Sequence, residues 1–304
     1  MRARDPDMSG TVMRDGVGLG YESYGSGDPT VLLLPTWTII HSRFWKMQVP
    51  YLARRHRVIT YDGPGNGRSD RVTDPARYSA EAYAADAAAV LDACEVDQAI
   101  VVGLSLGGQY VTRLASLHPD RVAGLVLVGP ALPLTPPAPE RASIAENFTK
   151  PYPDGARSWQ KYNLAYWHDH YSDFTEFFFD QVFSEPHSTK PREDAVAWAA
   201  HSGPHILQAE ASRPSVSADG TTGSVASLAE AIARWSELLA GLTCPVLVVH
   251  GTGDRIQPHS NGVEAARITG GTIVSLEGSG HMPNVRDPVR FNLILRDFID
   301  RVTV

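Results

Sequence analysis

Short apolar runs, each closed by a polar turn rich in glycine, recur along this chain. Residues 31–35, 99–102, 124–128, 245–250 and 271–276 are such runs, four to six residues long. Runs of this length without polar alternation predict strands buried on both faces. Longer stretches between them carry helical spacing. Ala80–Ala93 is alanine-rich and is preceded by Ser79, a good N-cap. Residues 109–117 predict a second helix. Strands that alternate with helices predict a parallel sheet covered on both faces. Residues 11–24, around Arg14-Asp15-Gly16-Val17, predict a hairpin ahead of that sheet.

The pattern stops at Gly129-Pro130 and returns only at Leu242. Four prolines fall between 133 and 139, which marks a linker. Residues 131–235 therefore read as an insertion, with 1–130 and 236–304 as the core. Between residues 152 and 183 stand 11 of the chain's aromatics. Trp159, Tyr162, Tyr166 or Trp167, Tyr171 or His170, Phe174 and Phe178 recur at three- and four-residue spacing, predicting helices. Most of these rings are expected to pack on the sheet domain. Trp159, Tyr162, Tyr166 and Trp167 are candidates to line an apolar pocket. Residues 209–227, rich in serine, glycine and threonine, predict a loop at the pocket's entrance.

Composition narrows the classes of function. A chain of 304 residues has ample length for one large core with an insertion. Its formal net charge of −7 disfavours nucleic acid and anionic membranes, both of which attract basic patches. No apolar run is long enough to span a membrane, and residues 1–7 lack the apolar segment of a secretory signal. The expectation is a cytoplasmic protein acting on a small apolar molecule, with a homodimer left open. Cys94 and Cys244 are expected as free thiols. His168, His170 and His187 have no ligand spacing that supports a metal, so neither metal nor cofactor is expected. The glycine-rich loop at residues 62–70 lacks the lysine of a phosphate-binding loop and reads as a structural turn.

The chemistry concentrates in three places. Gly103-Leu104-Ser105-Leu106-Gly107 stands between a predicted strand and a predicted helix. That context turns a weak Gly-x-Ser-x-Gly match into a nucleophile elbow, in which a sharp turn holds out the serine hydroxyl. A serine needs a base, and the base needs an orienting acid. The apolar run 245–250 ends in Gly251-Thr252-Gly253-Asp254, 149 residues after the serine. The run 271–276 ends in Glu277-Gly278-Ser279-Gly280-His281, 27 residues after the aspartate. Both candidates follow strands, where functional loops of a parallel sheet lie. The expected triad is Ser105, Asp254 and His281, and the rival His250 is expected to be structural.

With these residues in this order, the chain resembles the α/β-hydrolase fold superfamily over nearly its whole length, in the manner of serine esterases and lipases with a lid. The resemblance implies an eight-stranded, mostly parallel sheet with helices on both faces and a helical cap inserted after strand 6. It also implies an oxyanion hole made by the N–H groups of Leu106 and Trp37. Here the chain departs from the family, because Pro35-Thr36-Trp37-Thr38 replaces the common His-Gly, and the Thr36 hydroxyl is a further candidate donor. The expected activity is hydrolysis of a small to medium apolar ester, lactone or thioester through an acyl-enzyme. The alternatives are a C–C bond hydrolase, an acyltransferase or a cofactor-free lyase or cyclase on the same triad, and a ligand sensor on a hydrolase scaffold.

Overall fold

The structure is a computed structural model that describes residues 4–186, 188–216, 222–223 and 227–302. Eight strands form one sheet: β1 Met8–Arg14, β2 Val17–Tyr24, β3 Thr30–Leu33, β4 Val58–Tyr61, β5 Ala99–Leu104, β6 Val122–Val128, β7 Val246–Gly251 and β8 Thr272–Leu276. Their spatial order is β1-β2-β4-β3-β5-β6-β7-β8. The β1–β2 hairpin turns at Asp15-Gly16, and β2 runs antiparallel to β4. All the remaining pairs are parallel.

The central strands are buried at nearly every position because both of their faces are covered. Val31, Leu33, Ile100, Val102 and Val249 face one cluster, together with Phe291, Leu295 and Phe298 of the C-terminal helix Pro288–Val302. Leu32, Ile59, Val101, Leu127 and Val248 face the other. There they meet α1, Ala80–Ala93, and α2, Gly107–Leu117. Small alanines let α1 lie close, and Ser79 caps it by accepting from the Ala82 N–H at 3.1 Å. Each aliphatic side chain fully buried this way contributes roughly 1.5–3 kcal/mol relative to exposure. Cys94 and Cys244 are free thiols.

The chain leaves the sheet after β6. Among the described residues, the one-turn helix Ile144–Asn147 comes first and four longer helices follow: α3 Leu164–Asp169, α4 Tyr171–Val182, α5 Thr189–Ala199 and α6 Pro204–Ala211. The loop expected over 209–227 starts later than its composition suggests, because α6 continues through Ala211. Residues 217–221 and 224–226 of that stretch lie outside the described residues. The next helix, α7 Leu228–Ala240, is the crossover back to β7. Residue 235, the expected end of the insertion, falls inside α7. Trp235 and Leu239 pack in the sheet-face cluster, so this helix belongs to the layer that covers the sheet. Among the described residues, no helix is long and apolar enough to cross a membrane.

Candidate active site

Ser105 sits where β5 ends and α2 begins, with a backbone φ of +54°. A non-glycine residue held in this region is strained, and such strain persists only where surrounding structure imposes it. The imposition is visible. The Ser105 N–H donates to the Val128 carbonyl at 2.9 Å, and the Ser105 carbonyl accepts from the N–H groups of Gly108 and Ala131, both at 2.9 Å. The flanking glycines permit the turn. A Cβ on Gly103 would lie 2.2 Å from the Gly107 carbonyl oxygen, and one on Gly107 would lie 2.7 Å from that of Pro35. A side chain at Gly103 would force the helix away from the strand, and one at Gly107 would force it away from the loop after β3.

Asp254 follows β7 and His281 follows β8, and the structure brings them together. His281 Nδ1 lies 2.8 Å from Asp254 Oδ2. The other carboxylate oxygen, Oδ1, accepts from the N–H groups of Ile256 at 2.7 Å and Gln257 at 2.9 Å. His250 also reaches Oδ2, through Nε2 at 3.1 Å. Burial alone would raise the Asp254 pKa. The two imidazoles outweigh it, through charge and hydrogen bonds, and hold this carboxyl well below the usual carboxylate range.

Gly129 links this pair to the serine. It follows Val128, the acceptor of the Ser105 N–H, with φ at +47°. A Cβ there would stand 3.2 Å from Asp254 Oδ2 and 3.3 Å from His281 Nδ1. The serine, the acid and the imidazole therefore converge around one bare backbone position at the end of β6.

The loop after β3 forms the opposite wall. Gly107 lies against Pro35 and Thr36, so the start of α2 touches this loop directly. Among the described residues, the N–H groups of Leu106 and Trp37 donate to no protein acceptor. The Thr36 hydroxyl is buried and has no partner. Thr38 is clamped by Glu210 of α6, whose carboxylate accepts from the Thr38 N–H at 3.2 Å and from its hydroxyl at 2.5 Å. Burial pushes the Glu210 pKa up, against the pull of Arg213 and the Thr38 hydrogen bonds.

The insertion grips the histidine loop as well. Glu185 accepts from the Gly280 N–H at 2.6 Å, and the His281 N–H reaches the Val182 carbonyl at 3.4 Å. Under the insertion lies a cavity of about 460 Å³. Tyr162 and Trp167 line it together with Trp37, whose ring stacks on Tyr162 at 5.9 Å. The other two pocket candidates lie outside the lining. Trp159 is buried beneath the Arg141 guanidinium, at 4.7 Å. The Tyr166 hydroxyl turns to Asp173 at 2.6 Å. Ser105 and His281 do not line the cavity either; Trp37 and Gln257 are its links to the two walls of the site. His187 lies outside the described residues, and among those described there is no cluster of three ligands able to hold a metal.

Sequence reasoning missed Gly129, Glu185, Glu210 and Arg141. Only Gly129 left a trace, in the Gly-Pro step that ends the β6 run. The two glutamates and the arginine act across 95 to 172 residues of sequence, where no local pattern exists.

Comparison with known proteins agrees with this fold. A family model described as "alpha/beta hydrolase fold" matches residues 29–288. The chain belongs to the alpha/beta hydrolase fold family. A non-heme haloperoxidase of Rhodococcus erythropolis is 30% identical over 265 residues, 83% of this chain and 84% of that one. A 2-hydroxymuconate semialdehyde hydrolase of Pseudomonas sp. (strain CF600) is 34% identical over 132 residues, covering 41% of this chain and 44% of the relative. That match thus spans less than half of the relative's length. Among solved structures, Est816, described as an N-acyl homoserine lactone degrading enzyme, superposes with a TM-score of 0.71 at 26% identity, over 95% of this chain and all of that one.

Proposed function

We propose that this chain, a hydrolase by family, cleaves a small to medium apolar ester, lactone or thioester through an acyl-enzyme on Ser105. Ser105 Oγ attacks the carbonyl carbon and passes its proton to His281 Nε2. The carbonyl oxygen, now negative, is held by the N–H groups of Leu106 and Trp37. His281 returns the proton to the departing alkoxide or thiolate. Water then attacks the acyl-serine, giving one proton to His281, which restores the serine hydroxyl as the acid leaves. Asp254 accepts the His281 Nδ1–H throughout, fixing the tautomer and stabilising the imidazolium. The inserted helices α3–α6, which precede α7, serve as a cap over this site. An N-acyl homoserine lactone degrading enzyme and an esterase among the structural neighbours fit this class.

The observation that carries the reading is the strained Ser105, tied through Val128 and Ala131 to the glycine against which Asp254 and His281 pack. The test is labelling by a fluorophosphonate probe, read by intact mass, on the wild type and on Ser105→Ala, His281→Ala and Trp37→Ala. One label on the wild type, absent from the Ser105 and His281 variants, supports an activated serine. An unlabelled wild type, or a labelled Ser105→Ala, refutes it.

A second reading rests on Thr36. Its buried, unpartnered hydroxyl is a spare donor beside the loop that replaces the common His-Gly. An extra donor of this kind suits C–C bond hydrolysis, acyl transfer or a lyase or cyclase step. The partial likeness to a 2-hydroxymuconate semialdehyde hydrolase adds to it. Efficient turnover of simple esters with an acyl-enzyme burst, unchanged in Thr36→Val, would set this reading aside.

A further inference from the structure

The cavity under the insertion runs against the charge of the chain. The sequence carries 34 acidic and 27 basic side chains. The described lining of the cavity contains two arginines, Arg141 and Arg213, and no carboxylate. The rest of the wall is mainly aromatic and aliphatic, including Trp37, Phe148, Tyr162 and Trp167.

Neither guanidinium is saturated by the protein. Arg141 donates through Nη1 to the Ile256 carbonyl and lies over the rings of Trp159 at 4.7 Å and Tyr162 at 6.0 Å. Its Nε is buried without an acceptor. Arg213 donates through Nη1 to the backbone carbonyl of Glu210 at 3.0 Å. Among the described residues, neither arginine forms an ion pair within 4.0 Å. Asp254 and Glu140 act on Arg141 only at longer range, and burial still pulls its pKa down. The Glu210 carboxylate that attracts Arg213 is itself engaged by Thr38.

Arginine stays protonated, so both side chains bring positive charge into a largely apolar space. A poorly solvated cation without a counter-ion is costly, and a guanidinium fork matches the two oxygens of a carboxylate. The cavity also has the volume of a small-molecule site. It abuts both walls of the active site, through Trp37 and through Gln257, whose N–H supports Asp254.

We propose that the substrate is an ester with an apolar body and a carboxylate remote from the scissile bond, and that Arg141 and Arg213 hold that carboxylate in this cavity. The inference rests on the ester-hydrolase reading of Ser105 and narrows it to anionic substrates.

Two esters of equal length test it, p-nitrophenyl hydrogen adipate with a free carboxylate and p-nitrophenyl methyl adipate without one. The wild type should favour the anionic ester by about tenfold or more in kcat/KM, mostly through KM, the size of one charged hydrogen bond. Arg141→Gln and Arg213→Gln should each erase most of that preference, and Arg141→Lys should keep part of it. Melting curves show whether each variant folds, and the two positions serve as independent probes. Equal kcat/KM for the two esters, or a preference that survives both glutamine variants, overturns the proposal.

Should the wild type turn over neither ester, the ester reading fails on its own account. The cavity is then tested by calorimetric titration of Ser105→Ala with phenylhexanoate and phenylhexanamide. Binding of the acid alone, lost when Arg141→Gln is added, supports an anion site. Equal binding of both probes, or of neither, refutes it.

Discussion

Gly129→Ala isolates what the bare backbone at the end of β6 does. Two effects are expected, and a second glycine separates them. The first is conformational. At φ +47° an L-residue costs roughly 1–2 kcal/mol, offset in part by the lower entropy of the unfolded alanine chain. The second is steric. The new methyl would stand 3.2 Å from Asp254 Oδ2 and 3.3 Å from both Nδ1 and the carbonyl of His281. Neither neighbour yields easily, because Asp254 is held by four donors and the His281 loop by Glu185. Overpacking of this kind typically costs about 1–3 kcal/mol.

Gly270 supplies the control. It ends the helix His259–Thr269 at φ +64°, and a Cβ there meets nothing within 4 Å. Gly270→Ala should show the backbone cost alone, lowering Tm by a few degrees, at roughly 2–4 °C per kcal/mol for a chain of this size. Gly129→Ala should lose about twice as much or more, and it alone should lose activity. A shift of a few tenths of an ångström in His281 should lower kcat by about tenfold, given that a misplacement near 1 Å can cost ~10²-fold. The assay is p-nitrophenyl acetate hydrolysis beside thermal melts of both variants. If Gly129→Ala kept wild-type kcat and melted with Gly270→Ala, the claim that Gly129 makes room for the acid and the imidazole would be wrong.

Three further outcomes are expected. Ser105→Ala should lower ester turnover by at least about 10³-fold with little change in Tm, since in the proposed mechanism its hydroxyl carries the covalent step; activity within tenfold of wild type would contradict this. The Asp254 carboxyl has a folded pKa below its unfolded value of about 3.9, so it contributes stability at neutral pH that is lost as pH falls through the folded pKa. The Tm gap between wild type and Asp254→Asn should accordingly be wide at pH ~7 and narrow toward pH ~3, and a gap that widens in acid would reverse the sign. Glu210→Ala leaves the Thr38 N–H and hydroxyl without their acceptor and should cost about 1–3 kcal/mol, while Glu210→Gln keeps an acceptor and should cost less; equal losses in thermal melts would show that the hydrogen bonds are not what matters.

Much of this arrangement is legible in the sequence because it is local. The helix Ala80–Ala93 and its Ser79 cap, the hairpin turning at Asp15-Gly16, and the strands of the sheet all follow from patterns a few residues long. So does the position of Ser105, since strand, glycine, serine, glycine and helix are contiguous. Asp254 and His281 could be placed because each follows a strand, although only the structure brings them to 2.8 Å. The insertion was harder to read. Its aromatic spacing predicts helices but not which ring faces which way, so Tyr162 and Trp167 reach the cavity while Tyr166 turns to Asp173. The end at residue 235 cuts α7, because an amphipathic helix over a sheet and one in an insertion carry the same period. Glu185 and Glu210 read as ordinary polar residues, since their partners belong to other layers of the fold.

Asp254 has almost no freedom to respond to events around it. Both of its oxygens are occupied twice, Oδ1 by two backbone N–H groups and Oδ2 by two imidazoles. For Oδ2 to accept from both rings, His281 must carry its hydrogen on Nδ1 and His250 on Nε2, and His250 Nδ1 is then left bare beside Gly262. In the proposed mechanism, when His281 takes up a proton, no dipole near the carboxylate has to swing round to meet the new charge. The solvation that water would provide by turning is already in place, frozen in by folding. The free energy of that ordering is spent when the chain folds, not at each turnover.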